Sequence, residues 1–69
     1  MNMEIGKTYH QEFQNGDRIY CRIVSRFANG RFKAMKAEGN RKPVQCSVDN
    51  HPSIPWIETP VNEIPKKLL

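Results

Sequence analysis

The stretch Asp17–Lys33, DRIYCRIVSRFANGRFK, combines a strand pattern with a turn signal. Its apolar Ile19, Cys21 and Ile23 alternate with polar residues, and the dipeptide NG follows at positions 29 and 30. Alternation of this kind predicts a strand with one buried face, and Asn-Gly is the strongest short signal for a hairpin. We therefore predict that this stretch forms the central hairpin of an antiparallel sheet, with its arginines opposite the core.

Three turn signals divide the first fifty residues into segments of strand length: QNGD at 14–17, ANGR at 28–31 and EGNR at 38–41. The segments between them are rich in β-branched and aromatic residues, which favour strands. No segment here has the 3.6-residue apolar period of an amphipathic helix. The predicted strands form a four-stranded antiparallel meander: Lys7–Phe13, Arg18–Phe27, Arg31–Ala37 and Lys42–Val48.

The register of the central hairpin depends on the length of its loop. A two-residue loop made of the NG dipeptide pairs Phe27 with Phe32 on the inner face, which is a favourable cross-strand pair. The same register pairs Arg26 with Lys33 on the outer face, where two like charges meet. Lys36 fits the inner face poorly, and we expect it at the edge of the sheet.

The first hairpin needs a longer loop to keep its apolar residues on the inner face. A three-residue loop over residues 15–17, with its glycine in the left-handed region, pairs Phe13 with Ile19 and Tyr9 with Ile23. The predicted inner face then contains Tyr9, Phe13, Ile19, Cys21, Ile23, Phe27, Phe32, Ala34, Val44, Cys46 and Val48.

The 69-residue length is that of one small domain. Prolines at 52, 55, 60 and 65 follow the last predicted strand and exclude a long helix or a central strand there. The predicted fold is all-β: a small antiparallel four- to five-stranded meander that closes into a Src-homology-3-like or Sm-like barrel. Residues 1–6 form a lead-in, 7–48 the meander, and 49–69 a Pro-rich tail with room for an edge strand and one helical turn.

Positive charge is concentrated in the middle of the chain. The net charge is +4, and residues 18–42 carry eight basic side chains against one acidic side chain. Such an excess predicts a local positive field that attracts an anionic partner. The candidate binding residues are Arg18, Tyr20, Arg22, Arg26, Arg31, Lys33, Arg41 and Lys42.

Two binding functions fit this basic surface. Arginine and lysine contacts to phosphates give salt-dependent affinity for DNA or RNA, and Tyr20 offers a ring for base stacking; nucleic-acid binding is the leading hypothesis. The alternative is a protein-interaction or inhibitor module, of the type found among small phage or mobile-element proteins, that covers an acidic surface of a host protein. The same residues also fit the solvated face of an ordinary sheet.

Trp56 stands among prolines and isoleucines in the sequence HPSIPWIETP. One interpretation is that its ring forms a lid on the core, because four strands that bury one face need a cover. The other is that it is an exposed anchor for a protein partner, because tryptophan is enriched at interface hot spots.

The sequence lacks the motifs of an enzyme, a cofactor site or a metal site. No P-loop, dinucleotide fingerprint or nucleophile motif occurs, and Cys21, Cys46, His10 and His51 lack the paired spacing of zinc ligands. The two cysteines fit buried free thiols. No apolar run approaches the roughly 20 residues that span a bilayer, and the N-terminus has no apolar signal region. We therefore expect a cytoplasmic, non-catalytic protein without cofactor or metal.

Overall fold

The computed structural model describes residues 3–69 and confirms an all-β protein with one five-stranded antiparallel sheet. The strands are β1 (Thr8–Glu12), β2 (Arg18–Arg26), β3 (Phe32–Glu38), β4 (Val44–Val48) and β5 (Ile57–Glu58). Helical structure in these residues is limited to two short 3-10 turns, Val61–Glu63 and Lys66–Leu68.

The sheet is open rather than closed. Its strand order is β4-β3-β2-β1-β5, so β4 and β5 lie at opposite edges, and no pairing joins them within residues 3–69. The predicted barrel is therefore not confirmed. β5 pairs with β1 through Tyr9–Glu58 and His10–Ile57. It lies at an edge of the sheet, where prolines close to a strand are tolerated.

The first hairpin has the predicted kind of loop at a different position. Phe13 and Asp17 close a three-residue loop, in which the Phe13 N–H donates to the Asp17 carbonyl at 2.9 Å and the glycine has a φ of +88°. The predicted pairing of Phe13 with Ile19 is wrong, because the register lies two residues away and Tyr9 lies opposite Cys21. A shift of two residues preserves the alternation of side chains, so the buried face of the strand is unchanged.

The central hairpin also has a three-residue loop, where a two-residue loop was predicted. The Phe27 N–H donates to the Arg31 carbonyl at 2.8 Å. A two-residue type I′ loop requires positive φ at both Asn29 and Gly30, whereas only Gly30 has one, at +87°. The predicted pairing of Phe27 with Phe32 is therefore wrong.

A β-bulge at Val24 compensates for the shift that the longer loop introduces. Between the loop and the bulge, Arg26 lies opposite Phe32; beyond the bulge, Ile23 is again on the buried face. Without the extra residue, Ile23 would turn to the other face. The predicted pairing of Arg26 with Lys33 is also wrong, because Lys33 lies opposite Ser25.

The core lies on one face of the sheet, called the core face. Its cluster of buried residues consists of Met3, Tyr9, Cys21, Ile23, Phe32, Ala34, Val48 and Trp56. Ile19 and Cys46 pack against this cluster and are partly buried. Phe13, Phe27 and Val44 were predicted to be inside and are exposed, because the two phenylalanines sit at loop-closing positions and Val44 lies on the edge strand β4.

Trp56 forms the lid of the core. Its side chain is 5% exposed, and its backbone N–H donates to the Asn50 side-chain carbonyl at 3.2 Å. The structure thus places Trp56 inside the protein and does not present it as an exposed anchor for a protein partner.

Two further core-face residues depart from a simple apolar pattern. Lys36, expected at a sheet edge, lies on the inner strand β3 opposite Cys21, with its ammonium 3.9 Å from Glu38. Burial, with a smaller contribution from Cys46, raises the pKa of the Cys21 thiol to about 12. Both cysteines are free, and Cys21 stays a neutral thiol near pH 7.

Candidate nucleic-acid interface

The face of the sheet opposite the core carries the predicted binding residues and is called the basic face. Because side chains alternate across a strand, β2 presents Arg18, Tyr20 and Arg22 on this face. Pairing with β3 extends it, since Arg22 lies opposite Met35, and Lys33 lies two residues further along β3 on the same side. Part of this face is covered by another segment of the chain and differs from the solvated outer face of an ordinary sheet.

Residues 59–69, called the cover segment, lie over one end of the basic face. Leu68 is 4% exposed, and the 3-10 turn that contains it packs against β3. Ala37, His10 and Thr59 are also buried there. This end, called the covered end, is a second small core.

Arg18 belongs to the covered end and already has two acidic partners. Its guanidinium lies 2.9 Å from Glu12 on the neighbouring strand and 3.0 Å from Glu63 in the cover segment. Tyr20 and these two carboxylates raise the pKa of Arg18, so the side chain stays charged. Its charge is balanced within the protein, which weakens its attraction for an external anion.

His10 connects β1 to the cover segment. Its Nδ1 lies 2.8 Å from the Thr59 hydroxyl oxygen, and its ring centroid lies 5.9 Å from that of Tyr20. Burial, followed by the charge of Arg18, lowers the pKa of His10 below its ordinary value, although Glu12 and Glu63 oppose this change. The buried ring therefore favours the neutral form.

Tyr20 does not stand on an open surface. It contacts His10 and lines a cleft of about 340 Å³ between two turns and the cover segment, together with Gly16, Gly39, Pro65 and Lys67. Its predicted role as a flat stacking platform is not favoured by this position.

Three more hydrogen bonds attach the cover segment to the sheet and to its β3–β4 turn. Arg22 donates from Nη1 to the Leu68 carbonyl at 2.9 Å. Lys67 donates from Nζ to the carbonyls of Gly39 and Arg41 in the β3–β4 turn, the latter at 3.0 Å. Arg22 thus stands at the boundary between the covered end and the rest of the basic face.

The other end of the basic face, called the open end, combines Arg22, Arg31 and Lys33. Arg31 donates from Nε to the Ser47 hydroxyl at 2.9 Å, and its Nη1 lies 3.7 Å from Asp49. Within residues 3–69, neither Arg22 nor Lys33 has a carboxylate within 4.0 Å. The open end therefore carries a local excess of positive charge.

Phe27 adds an exposed aromatic ring to the open end. Its backbone pairs with Arg31, and directly opposed residues share a face of the sheet. The side chain is 42% exposed. Sequence reasoning missed this residue as a binding candidate because a two-residue loop would place Phe27 in the core, and Asn-Gly fits loops of two residues as well as loops of three.

The structure does not bring Arg26 to the other arginines of β2. After the Val24 bulge, its side chain lies on the side of Phe32, with the guanidinium carbon 5.1 Å from the centre of that ring. Arg26 also lines a shallow surface with Met3. The prediction that Arg26 shares a face with Arg18 and Arg22 is wrong.

Arg41 and Lys42 lie at the β3–β4 turn, away from the β2–β3 loop that borders the open end. Both are exposed, and Lys67 brings a further cation to the same turn. Apart from Arg18 and Arg26, the predicted basic residues thus form two separate groups, one at the open end and one at this turn.

Within residues 3–69, no three His, Cys, Asp or Glu side chains are grouped so that they could hold a metal ion. The same part of the chain contains no helix with the length and apolarity needed to cross a membrane.

Comparison with protein-family models, with curated proteins and with solved structures finds no match for this chain. Its functional interpretation therefore rests on the residues and their geometry.

Proposed function

We propose that the protein is a non-catalytic module that binds single-stranded nucleic acid through the open end of the basic face. The observation that carries the proposal is the position of the exposed Phe27 ring on the same face as Arg22, Arg31 and Lys33. Cations that follow a phosphate backbone, with aromatic rings on which bases stack, are the usual components of single-strand binding surfaces.

The balance of charges favours the open end over the covered end. Arg18 is held by Glu12 and Glu63, so an incoming phosphate must compete with two carboxylates. Arg22 and Lys33 face no such competition within the described residues. Phosphate contacts carry little sequence information, so the expected binding is weakly selective and strongly salt-dependent.

The first test is a titration of fluorescently labelled oligonucleotides at several salt concentrations between 50 and 300 mM. The slope of log K against log salt should be about −0.7 for each phosphate contact to a single strand. Three cations at the open end predict a slope of about −2. Absence of binding at 50 mM salt would contradict the proposal.

A matched pair of variants tests which face binds. Lys33 and Lys36 lie three residues apart on β3, but Lys33 is on the basic face and Lys36 is on the core face. Lys33→Gln should weaken binding, whereas Lys36→Gln, with the same change of net charge, should leave affinity within about twofold because its side chain is on the other face. Equal losses would show that only the total charge matters.

The alternative function, an interaction or inhibitor module for an acidic protein, uses the same cations. Val24, exposed in the bulge beside Arg22, adds apolar area that a protein partner would bury. A pulldown from cell lysate with nuclease added separates the two functions. Recovery of one defined acidic protein, together with no oligonucleotide binding, would replace nucleic-acid binding by this alternative.

A further inference from the structure

The two edges of the sheet are protected to different extents. β5 has two residues and lies between Pro55 and Pro60, which leaves little backbone for a further strand. β4 has five residues, Val44–Val48, with neither proline nor charge among them. Its outer side pairs with no strand within residues 3–69. Such an edge is a template for another strand unless something covers it.

The sequence of β4, VQCSV, has similar residues at equal distances on either side of Cys46: a valine at each end and a polar residue at each inner position. We propose that two copies of this chain associate by antiparallel pairing of their β4 strands, with Cys46 opposite Cys46 of the second copy. Val44 then lies opposite Val48, and Gln45 lies opposite Ser47. A twofold interface requires a self-complementary strand of this kind.

This register gives the exposed valine of the edge strand a partner. Val44 is 54% exposed, and it lies on the core face in the same row as Lys36. In the pair of copies, Val44 packs beside Val48 of the second copy, because opposed residues of antiparallel strands are cross-strand neighbours. The core faces of the two sheets are then continuous.

The charged residues that flank β4 do not face one another in the same register. Lys42 precedes the strand and has no carboxylate within 4.0 Å in the described part of the chain. Asp49 follows the strand with a side chain that is 60% exposed. Antiparallel pairing about Cys46 places Lys42 of one copy opposite Asn50 of the other, and Asp49 opposite Pro43. The interface thus contains no facing like charges.

Pairing along β4 also joins the two basic faces. Ser47 and Gln45 lie on that face beside Lys33 and Met35. In the pair of copies they lie next to Gln45 and Ser47 of the second copy, so the two basic faces form one continuous surface. A five-residue ladder buries less than the roughly 1,200 Å² of stable interfaces. The expected association is therefore weak and depends on protein concentration.

The test of association is sedimentation equilibrium of the full chain without nucleic acid, from micromolar to millimolar concentration. The wild type should shift from monomer to dimer over this range. The double variant Gln45→Lys with Ser47→Lys places lysines opposite each other at the seam and should stay monomeric. A control, Val61→Lys with Asn62→Lys, adds the same charge on exposed positions away from β4 and should dimerise like the wild type.

Charge complementation distinguishes a lost interface from a disturbed fold. The variant Gln45→Glu with Ser47→Glu should also be monomeric alone, and an equimolar mixture with the lysine variant should form a mixed dimer. A wild-type chain that stays monomeric at millimolar concentration, or a mixture that does not associate although each variant keeps the wild-type circular dichroism spectrum, would overturn the proposal.

Oxidation of the Cys46 thiols tests the proposed register of the two β4 strands. Opposed Cα atoms of antiparallel strands lie about 4.5–5.5 Å apart, within the range that a disulfide spans. With diamide accepting the two thiol hydrogens, the wild type should form a covalent dimer, and Cys46→Ser should not. Cys21 is fully buried with a raised pKa and serves as an internal control. A dimer that forms no Cys46 disulfide would contradict this register, and a heterologous protein bound at β4 in place of a second copy would contradict self-association.

Discussion

The two ends of the basic face are built on the same strands and have different roles. At the covered end, Arg18 is held by two carboxylates, and His10 and Leu68 are buried. At the open end, Lys33 has no nearby acid in the described residues, and Phe27 exposes its ring. The side chains of β2 alternate between the two faces in the same way from Arg18 to the Val24 bulge. The two ends therefore differ because the cover segment lies over only one of them.

Two properties of a polar strand face are independent: which side chains it contains, and whether another segment covers it. Alternation determines which side chains share a face, but it does not determine whether another segment covers that face. Charged residues under a cover are neutralised by local partners, as Arg18 is by Glu12 and Glu63. Cations without such partners keep their field for an external ligand.

The largest expected effect concerns the stability of the covered end. Leu68→Ala should lower the free energy of unfolding by about 2–3 kcal/mol, because it removes a buried side chain and leaves a cavity. Urea denaturation measures the change. The control is Leu69→Ala, since Leu69 is 72% exposed and its replacement should cost less than about 0.5 kcal/mol. Equal effects of the two variants would mean that the cover segment does not form a second core.

The next effect concerns Phe27 and its counterpart in the first hairpin. Phe27→Ala should weaken oligonucleotide binding by about 1–3 kcal/mol, because a base loses its stacking partner. Phe13 is equally exposed at 42% and also closes a three-residue loop, but it pairs with Asp17 rather than Arg31. Phe13→Ala should therefore leave affinity unchanged in the same fluorescence titration. A loss of affinity in both variants, or in neither, would remove Phe27 from the site.

The smallest effect is a pH dependence that belongs to the covered end. Burial and Arg18 lower the pKa of His10 in the folded protein from 6.5, so the unfolded chain binds the proton more readily. Stability is therefore fully present above about pH 6.5 and falls as the pH decreases toward the lower folded pKa. Urea midpoints between pH 7.5 and 5.5 should show this fall, and His10→Gln should reduce its slope. An unchanged slope in His10→Gln would contradict the assignment of this pH dependence to His10.

The strands and their buried faces could be predicted from local pattern. Ile19, Cys21 and Ile23 alternate with polar residues, and each Asn-Gly dipeptide marks a hairpin; the structure has strands and loops at these places. These signals are local, since both alternation and turn preference depend on residues close in sequence.

The register of the central hairpin could not be predicted in the same way. Asn-Gly fits a two-residue loop and also a three-residue loop with glycine in the left-handed position. The three-residue loop of the structure places Arg26 on the core face and Phe27 on the basic face. The Val24 bulge, which restores Ile23 to the core, depends on packing across the whole sheet and leaves no simple mark in the sequence.

The covered end depends on contacts between residues far apart in the chain. Arg18 and Glu63 are separated by 45 positions, and Arg22 and Leu68 by 46. Leu68 sits in a short proline-interrupted segment without periodicity, so the sequence gives no indication of which face it covers.

The most direct measurement of the central claim compares two double variants in salt-dependent oligonucleotide titrations. Arg22→Gln with Lys33→Gln removes two cations of the open end that have no carboxylate within 4.0 Å in the described residues, and Arg18→Gln with Lys7→Gln removes two that are paired with acids. Both lower the net charge by the same amount. We predict that the open-end variant loses about two phosphate contacts, so that its salt slope becomes shallower by about 1.4, while the other variant keeps the wild-type slope. Equal changes in the two variants, or a change only in the acid-paired variant, would contradict the assignment of binding to the open end.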